Sequence, residues 1–181
     1  MKTADLLFET SIPELPLIGR GKVRDSYSVD DDHLLLVTTD RLSAYDVVMP
    51  DPVPGKGEVL TRISLFWFRM MSDIIDNQLT DLTVADVVKD VELQGQLKNR
   101  ALVVKRIKPL PIEAVVRGYL IGSGWKDYQD TGQVCGIDRP QGLQQAEKLP
   151  QTLFTPAYKA EAGEHDENIS FEKVAELVGE K

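Results

Sequence analysis

Residues 110–124, Leu-Pro-Ile-Glu-Ala-Val-Val-Arg-Gly-Tyr-Leu-Ile-Gly-Ser-Gly, combine side chains and a turn that could hold an anion. Glu113 and Arg117 lie within an apolar run, where a charge is costly unless it is paired or contacts a ligand. The run ends in a Gly-Ser-Gly turn at 122–124, which can present backbone N–H groups and a hydroxyl beyond the strand end. The pattern predicts a site for an anion, most simply a phosphate.

A second candidate site is the glycine loop at residues 19–24, Gly-Arg-Gly-Lys-Val-Arg, which opens a predicted strand. It is not a Walker loop, because no Gly-x-x-x-x-Gly-Lys-Ser/Thr occurs in the sequence. A glycine loop over a β-hairpin is the way in which protein kinases cover the phosphates of ATP. Lys22 and Arg24 are two residues apart, which predicts that both point to one face of the strand. The alternative is an ordinary turn with a solvated basic pair.

Residues 40–46 bring two acids, one base and two hydroxyls into seven positions, and Lys56 follows between two glycines. These residue types suit a loop over a substrate, and Lys56 suits a phosphate contact. Asp and Ser also favour turns through local hydrogen bonds, so a plain turn and an ordinary loop lysine are the alternatives.

Residues 155–168 form the last dense cluster, with four acids, Lys159 and His165 around one glycine. One interpretation is a loop that approaches Mg-ATP, with Lys159 toward the phosphate and the carboxylates toward a metal or an amine. The other interpretation is a solvated acidic loop before a helix.

The composition limits the kinds of protein that this chain could be. Its 181 residues are 42% hydrophobic, which suffices for a packed core, and the net charge of −8 argues against binding to nucleic acid or to anionic membranes. The single cysteine, Cys135, excludes an intrachain disulfide and is expected to be a small buried thiol. No signal-peptide pattern opens the chain, and the most apolar stretch, residues 63–71, is too short to span a bilayer. We therefore expect a cytoplasmic protein.

The elements that must position these residues can be predicted from hydrophobic periodicity. Residues 23–29 and 33–39 predict an antiparallel hairpin. An apolar stripe at helical spacing predicts a helix over residues 58–75, with the stripe in the core. The stripe consists of Val59, Ile63, Phe66, Met70 and Ile74, with Trp67 and Met71 beside it.

Toward the C-terminal end, two further strands are predicted at residues 101–107 and 112–120, and a short helix at 125–130. Ser170 is a suitable N-cap for a last helix that would end before Gly179.

Taken together, these segments resemble the SAICAR synthetase (phosphoribosylaminoimidazole-succinocarboxamide synthase) family. The resemblance covers essentially the whole chain, through GKVRDSY, DRLSAYDVV, PGKGEVLTRIS, LPIEAVVRGYLIGSG and KAEAGEHDENIS in the family's order. It implies an α+β, SAICAR synthase-like fold with ATP between two lobes. Residues 1–108 would form an antiparallel, kinase-N-lobe-like sheet with a helix and the ATP loop. Residues 109–181 would begin a second, ATP-grasp-like α+β lobe with the ribonucleotide-phosphate site.

The resemblance also implies a reaction. A carbon–nitrogen ligase of de novo purine biosynthesis would join L-aspartate to carboxyaminoimidazole ribonucleotide, with ATP and Mg²⁺, and would release SAICAR, ADP and phosphate. A carboxylate is phosphorylated first, and the amine of aspartate then displaces phosphate from the acyl phosphate. The partners would be these small molecules, with no nucleic acid and no membrane, and the oligomeric state stays open.

Site residues follow from the same resemblance. The ATP contacts would be the loop residues Gly21, Lys22 and Arg24, and the backbone hinge at Lys105, Arg106 and Ile107. Substrate contacts would be Ser43, Asp46, Glu113, Arg117, Gly122 and Ser123, of which Arg117 and Ser123 would hold the ribonucleotide phosphate, because the arginine fork matches phosphate geometry. The catalytic residues around the transferring phosphoryl group or its metal would be Lys159, Glu164 and Asp166.

The sequence departs from the family pattern in one respect. The family's second signature, Asp-x-Lys-x-Glu-Phe-Gly, and its later acidic metal-binding segment do not occur in residues 1–181. We therefore expect a truncated chain with little or no activity by itself, and the metal ligands stay open. A non-catalytic nucleotide- or phosphate-binding module derived from the synthetase is the alternative. A kinase-like phosphotransferase is disfavoured, because the chain has no His-Arg-Asp or Asp-Phe-Gly segment.

Overall fold

The computed structural model describes residues 6–45, 47–159 and 166–179. The chain forms two compact units, the first ending at Ile107 and the second beginning at Lys108. Helices and antiparallel strands alternate in both, which confirms the expected α+β class. The expected lobe boundary after residue 108 stays a prediction. None of the helices in the described ranges is long and apolar enough to cross a membrane.

The first unit is built on a four-stranded antiparallel sheet with the order β1-β2-β3-β6. Its elements are β1 (Leu17–Arg20), β2 (Arg24–Ser28), β3 (His33–Thr38), β4 (Ser43–Ala44), β5 (Val47–Val48), α1 (Lys56–Met70), α2 (Val84–Val87), α3 (Val91–Leu97) and β6 (Ala101–Lys105). The predicted hairpin is formed by β2 and β3, in which Arg24 lies opposite Thr38. β6 pairs with the other edge of β3.

The two faces of this sheet have different coverings. Leu35, Val37 and Val103 alternate along β3 and β6 and pack with residues of α2 and α3 in a buried apolar core. The opposite face, at Leu36 and Leu102, lies against α1. This face is not fully closed, because residues of the sheet and of α1 line a cavity of about 70 Å³ between them.

The prediction that the apolar stripe of α1 is buried is wrong. Val59, Ile63, Phe66, Met70 and Ile74 are all exposed, as are Trp67 and Met71, and the helix ends at Met70. α1 instead turns Gly57 and Thr61 to the sheet. The physical reason is a close approach at the start of the helix, because a Cβ on Gly57 would lie 2.3 Å from the carbonyl oxygen of Thr38. Small residues set the buried face of this helix.

The second unit contains three small antiparallel sheets and two helices. Its elements are β7 (Ile112–Glu113), β8 (Val116–Tyr119), α4 (Ser123–Thr131), β9 (Gln133–Val134), β10 (Ile137–Asp138), β11 (Lys148–Phe154), β12 (Ala157–Tyr158), β13 (Glu167–Asn168) and α5 (Phe171–Val178). The sheets are β8 with β11, β9 with β10, and β13-β12-β7. Leu120, Val134 and Leu149 belong to the core that packs against α4.

The continuous strand predicted at 112–120 is wrong, since it is divided between two sheets. β7 pairs with β12, whereas β8 pairs with β11. Between them, the carbonyl of Val115 accepts hydrogen bonds from the N–H (2.8 Å) and the hydroxyl (3.3 Å) of Thr155. The last helix is confirmed as predicted, because the hydroxyl of Ser170 accepts the N–H of Lys173 at the start of α5.

Candidate nucleotide and phosphate sites

The glycine loop joins β1 to β2 through a tight turn. The N–H of Gly21 donates to the carbonyl of Arg24 at 2.8 Å, and this bond closes the turn. Lys22 lies in the turn, since β2 begins at Arg24. Strand alternation applies only within a strand, so it does not relate Lys22 to Arg24, and their placement on one face stays a prediction.

The backbone of this loop is held from below by Arg41 and Thr39. Nη2 of Arg41 donates to the carbonyl of Gly21 at 2.9 Å, and Nε donates to that of Lys22 at 3.2 Å. The carbonyl of Val23 accepts the N–H (3.0 Å) and the hydroxyl (2.9 Å) of Thr39. Three successive carbonyls of the loop are thus bound to the body of the unit. The sequence analysis missed both residues, and the only signal was an arginine directly after a buried strand.

Asp25 is the buried counter-ion of this arrangement. Its carboxylate accepts Nη2 of Arg41 at 2.8 Å and the N–H and hydroxyl of Thr10 at 2.9 and 2.7 Å. Arg20 approaches the same carboxylate, with 3.8 Å between Nε and Oδ2. The buried carboxylate of Asp25 therefore pairs with the charges of Arg41 and Arg20 beside the glycine loop.

Asp40 connects the start of α1 to the sheet. Its carboxylate accepts the N–H of Gly57 at 2.9 Å, the N–H of Leu7 at 3.0 Å and Nη1 of Arg100 at 2.9 Å. Burial by itself would raise the pKa of Asp40, but the hydrogen bonds from Arg100, Leu7 and Gly57 outweigh it and hold the pKa below its usual value. Asp40 is thus a buried carboxylate that stays ionised.

Lys56, the first residue of α1, is a half-buried cation near the glycine loop. Its pKa lies below the ordinary lysine value, chiefly because of burial; Asp40 opposes this effect, and the charges of Arg24 and Arg41 add to it. Arg24, Arg41 and Lys56 therefore act on the same region of space.

The expected adenine hinge lies at the end of β6. The N–H of Lys105 donates to the carbonyl of Gln78 at 2.8 Å, and the N–H of Arg106 donates to that of Asp32 at 2.7 Å. The guanidinium of Arg106 is bound to the carbonyl of Asp30. Both N–H groups are occupied, so a base would have to use the carbonyls of this segment or the backbone of Ile107, whose side chain is exposed.

The loop predicted over the substrate is a small β-hairpin. β4 and β5 pair through Ser43 and Val48, and Tyr45 at the tip is 97% exposed. Asp46 lies outside the described residues. The hairpin places Ser43 at its base rather than at its tip.

In the second unit, Arg117 is wrapped by the Gly-Ser-Gly turn. Its Nη1 donates to the carbonyl of Ile121 at 3.1 Å and its Nη2 to the hydroxyl of Ser123 at 2.8 Å. Its Nε is buried and makes no hydrogen bond within the described residues. Gly122 is the N-cap of α4 and has a φ of 63°, and no side chain of the described residues caps the helix. The guanidinium therefore stands beside an open helix N-terminus, which favours anions.

The close approach of Arg117 explains the second glycine of the turn. A Cβ on Gly124 would lie 3.1 Å from both Cδ and Nε of Arg117. That separation is tighter than most real Cβ contacts, so the arginine would have to move. Gly124 thus makes room for the arginine, whereas the sequence analysis attributed these glycines to the approach of a ligand.

The remaining predicted residues lie on or beside the sheet β13-β12-β7. Glu113 is opposite Ala157, and the N–H of Lys159 donates to the carbonyl of Pro111 at 3.0 Å. Lys159 follows β12 and Asp166 precedes β13, so both lie at one end of the sheet. The amide of Asn168 donates to the carbonyl of Ser123 at 3.3 Å and ties this sheet to α4.

Two further predicted residues, Glu164 and His165, lie outside the described residues. In the ranges 6–45, 47–159 and 166–179, no group of three or more His, Cys, Asp or Glu side chains could hold a metal ion.

The first unit has a glycine loop at the edge of an antiparallel sheet, and the second has an arginine–serine pair at a helix N-terminus. These features define an α+β protein. The family model of SAICAR synthetase matches residues 17–181. The chain therefore belongs to the SAICAR synthetase family, which confirms the resemblance.

Individual relatives agree with the family. The phosphoribosylaminoimidazole-succinocarboxamide synthase of Thioalkalivibrio sulfidiphilus (strain HL-EbGR7) is 62% identical over 173 residues, which are 96% of this chain and 58% of that protein. SAICAR synthase from Saccharomyces cerevisiae, solved with SAICAR, has a TM-score of 0.87 at 44% identity, over 96% of this chain and 59% of that one. A type-2 SAICAR synthetase solved with ADP shares the fold, with a TM-score of 0.62 at 22% identity, over 88% and 57% of the two chains. The chain spans less than two thirds of the length of each.

Proposed function

We propose that the chain carries the ATP-binding and ribonucleotide-binding elements of a phosphoribosylaminoimidazole-succinocarboxamide synthase. The activity is the ATP-dependent ligation of L-aspartate to carboxyaminoimidazole ribonucleotide in purine biosynthesis. The observation that carries the proposal is the guanidinium of Arg117, which is held beside the N-terminus of α4 by the carbonyl of Ile121 and the hydroxyl of Ser123. The names of the relatives, and the SAICAR bound to the yeast structure, support it.

The ribonucleotide phosphate would bind at the start of α4. Arg117 and the hydroxyl of Ser123 would donate to its oxygens, and Gly122 would let the backbone approach. Such binding requires Arg117 to exchange its contact with the carbonyl of Ile121 for phosphate, which is favourable because a charged acceptor makes the stronger bond. Glu113 would then face the imidazole end of the ribonucleotide, with Ser43 and Asp46 as further substrate contacts.

ATP would bind against the glycine loop. Gly21, Lys22 and Arg24 would contact the phosphates, with Lys56 as a further cation. The adenine would lie beside Lys105, Arg106 and Ile107, where the carbonyls remain as acceptors for its amino group. The ADP found with the type-2 relative supports a nucleotide as ligand.

The reaction would proceed in two steps. An oxygen of the ribonucleotide carboxylate attacks the γ-phosphorus of ATP, ADP leaves, and the acyl phosphate is then attacked by the amine of aspartate, with loss of phosphate and a proton. Lys159 would neutralise charge on the transferred group, whereas the carboxylates of Glu164 and Asp166 would face its metal ion or the amine of aspartate. Mg²⁺ would neutralise the phosphates of ATP. It needs only one or two protein carboxylates in addition to phosphate, and Asp166 is the described candidate.

The proposal includes a cytoplasmic location and small-molecule ligands only, since a net charge of −8 does not suit nucleic acid.

The test is calorimetric titration of SAICAR and of carboxyaminoimidazole ribonucleotide into the chain and into the variant Arg117→Ala. We expect saturable binding by the unmodified chain and an affinity at least about ten-fold lower for the variant. Arg139→Ala, a change of the same type in the same unit, should bind as the unmodified chain does. Absence of binding by the unmodified chain, or equal binding by Arg117→Ala, would overturn the proposal. Formation of SAICAR from the substrates distinguishes a ligase from a non-catalytic binding module.

A further inference from the structure

Arg41 donates hydrogen bonds to backbone carbonyls of the glycine loop, which is distant from it in the sequence. It is only 4% exposed, and its guanidinium donates to the backbone carbonyls of Phe8, Gly21 and Lys22. Its other contacts are the carboxylate of Asp25 and the ring of Phe8. We propose that Arg41 is a positioning residue, which fixes the glycine loop in the conformation that receives nucleotide phosphates. This inference rests on the proposed ATP site.

The geometry of the guanidinium is what allows this role. Its planar fork carries five N–H donors in fixed directions, so Nε and Nη2 can hold two successive carbonyls while Nη2 also contacts Asp25. A lysine could keep the charge next to Asp25, but its single ammonium cannot reproduce this fork. The identity of the side chain, and not only its charge, therefore matters.

Asp25 keeps the fork in place. This carboxylate is fully buried and is also bound by the N–H and hydroxyl of Thr10, so Arg41 is oriented before any ligand binds. Buried ion pairs that are hydrogen-bonded on all sides have little freedom to rearrange.

The consequence for the loop is electrostatic. A carbonyl oxygen that faced a nucleotide would repel its phosphates, because both carry negative charge. Arg41 and Thr39 bind the carbonyls of Gly21, Lys22 and Val23, so these oxygens cannot turn toward a ligand. Because the loop is already fixed before a ligand binds, binding does not have to reduce its conformational entropy, which favours a higher affinity.

The test compares Arg41→Lys with Arg100→Lys in the full 181-residue chain. Arg100 is a matched control: it is 3% exposed and pairs with a fully buried aspartate, Asp40, at 2.9 Å, but it does not touch the glycine loop. Hydrogen exchange of residues 21–24 without nucleotide, and the dissociation constant of Mg-ATP, are measured for each. Thr39→Val is a milder second variant, which removes the bond from the hydroxyl to the carbonyl of Val23 (2.9 Å) and the long bond that the hydroxyl accepts from the N–H of Arg41 (3.4 Å).

We expect Arg41→Lys to accelerate hydrogen exchange in residues 21–24 and to raise the dissociation constant of Mg-ATP about ten-fold. This is the size of effect expected when hydrogen bonds from a charged group such as the Arg41 guanidinium are lost. Thr39→Val should change both quantities in the same direction by less, and Arg100→Lys should change neither. Unchanged exchange, or faster exchange with unchanged Mg-ATP affinity, would overturn the inference. Failure of the unmodified chain to bind Mg-ATP would instead overturn the proposed ATP site. That outcome is distinguishable because it appears without any substitution.

Discussion

Arg100 and Asp40 form an ion pair almost completely withdrawn from solvent, with 2.9 Å between Nη1 and Oδ2. The pair joins the residue before β6 to the carboxylate that binds the N–H of Gly57 at the start of α1. The orientation of α1 on the sheet therefore depends on one buried aspartate.

This aspartate predicts a loss of stability in acid. Because its folded pKa lies below the unfolded value of 3.8, Asp40 stabilises the fold above about pH 4, and the contribution is lost as the pH falls through the folded pKa. Asp40→Asn should cost about 3–5 kcal/mol at pH 7, since Arg100 is left unpaired, and should flatten the dependence on pH. Urea denaturation from pH 2 to pH 7 measures both. Asp31→Asn, at an exposed carboxylate, is the control. Equal acid dependence in Asp40→Asn and the unmodified chain would contradict the prediction.

A side chain at position 57 is expected to clash with the sheet at the start of α1. The Cβ of alanine would lie 2.3 Å from the carbonyl oxygen of Thr38, so Gly57→Ala should lower the free energy of unfolding by more than about 2 kcal/mol. Gly95 in α3 has no neighbour within 4 Å of a built Cβ, and Gly95→Ala should stabilise by about 0.5–1 kcal/mol through helix propensity. In thermal denaturation, the melting temperature should fall for Gly57→Ala and rise for Gly95→Ala. An unchanged melting temperature for Gly57→Ala would show that α1 can move away from the sheet.

A substitution at Gly124 is expected to lower the affinity for a ligand through the position of Arg117, without touching the ligand itself. In Gly124→Ala the new methyl group would displace Arg117, and we expect SAICAR to bind about ten-fold more weakly in calorimetric titration. Gly118→Ala is the control, because a Cβ there meets nothing within 4 Å. Equal affinities for the two variants would mean that the arginine position does not govern binding.

Cys135 is predicted to be unreactive in the folded chain. Burial raises the pKa of its thiol, the nearby Asp127 raises it further, and Arg117 opposes them, so little thiolate forms at neutral pH. A disulfide reagent at pH 7.5 should react slowly with the native protein and rapidly in urea. Since it is the only cysteine, the signal has one source. Rapid reaction of the native chain would show that the second unit opens readily.

The features that were predictable from the sequence are those set by local chemistry. The hairpin β2–β3 follows from alternation and a turn of three acids, and the cap of α5 follows from Ser170. Arg117 and Ser123, which the family resemblance placed at one phosphate, are hydrogen-bonded to each other across a short turn. In each case the partners are close in the sequence.

The features that were not predictable depend on distant partners. The buried face of α1 is chosen by a backbone contact at Gly57 and not by its apolar stripe. Arg41 meets Gly21 across 20 positions of the sequence, and periodicity carries no information about such a pair. The division at Val115 arises from Thr155, which is 40 positions away.

The exposed apolar face of α1 affects the association of chains with one another while contributing little to the stability of the fold, two properties that usually change together. Ile63 and Phe66 on this face, exposed by about half, contribute little to the packing of the sheet, which α1 meets through Gly57 and Thr61. Polar replacements at Ile63 and Phe66 would thus alter how strongly chains associate in concentrated solution, while the fold and the two proposed phosphate sites are left intact. This helix is therefore the place at which the colloidal behaviour of the protein can be adjusted independently of its chemistry.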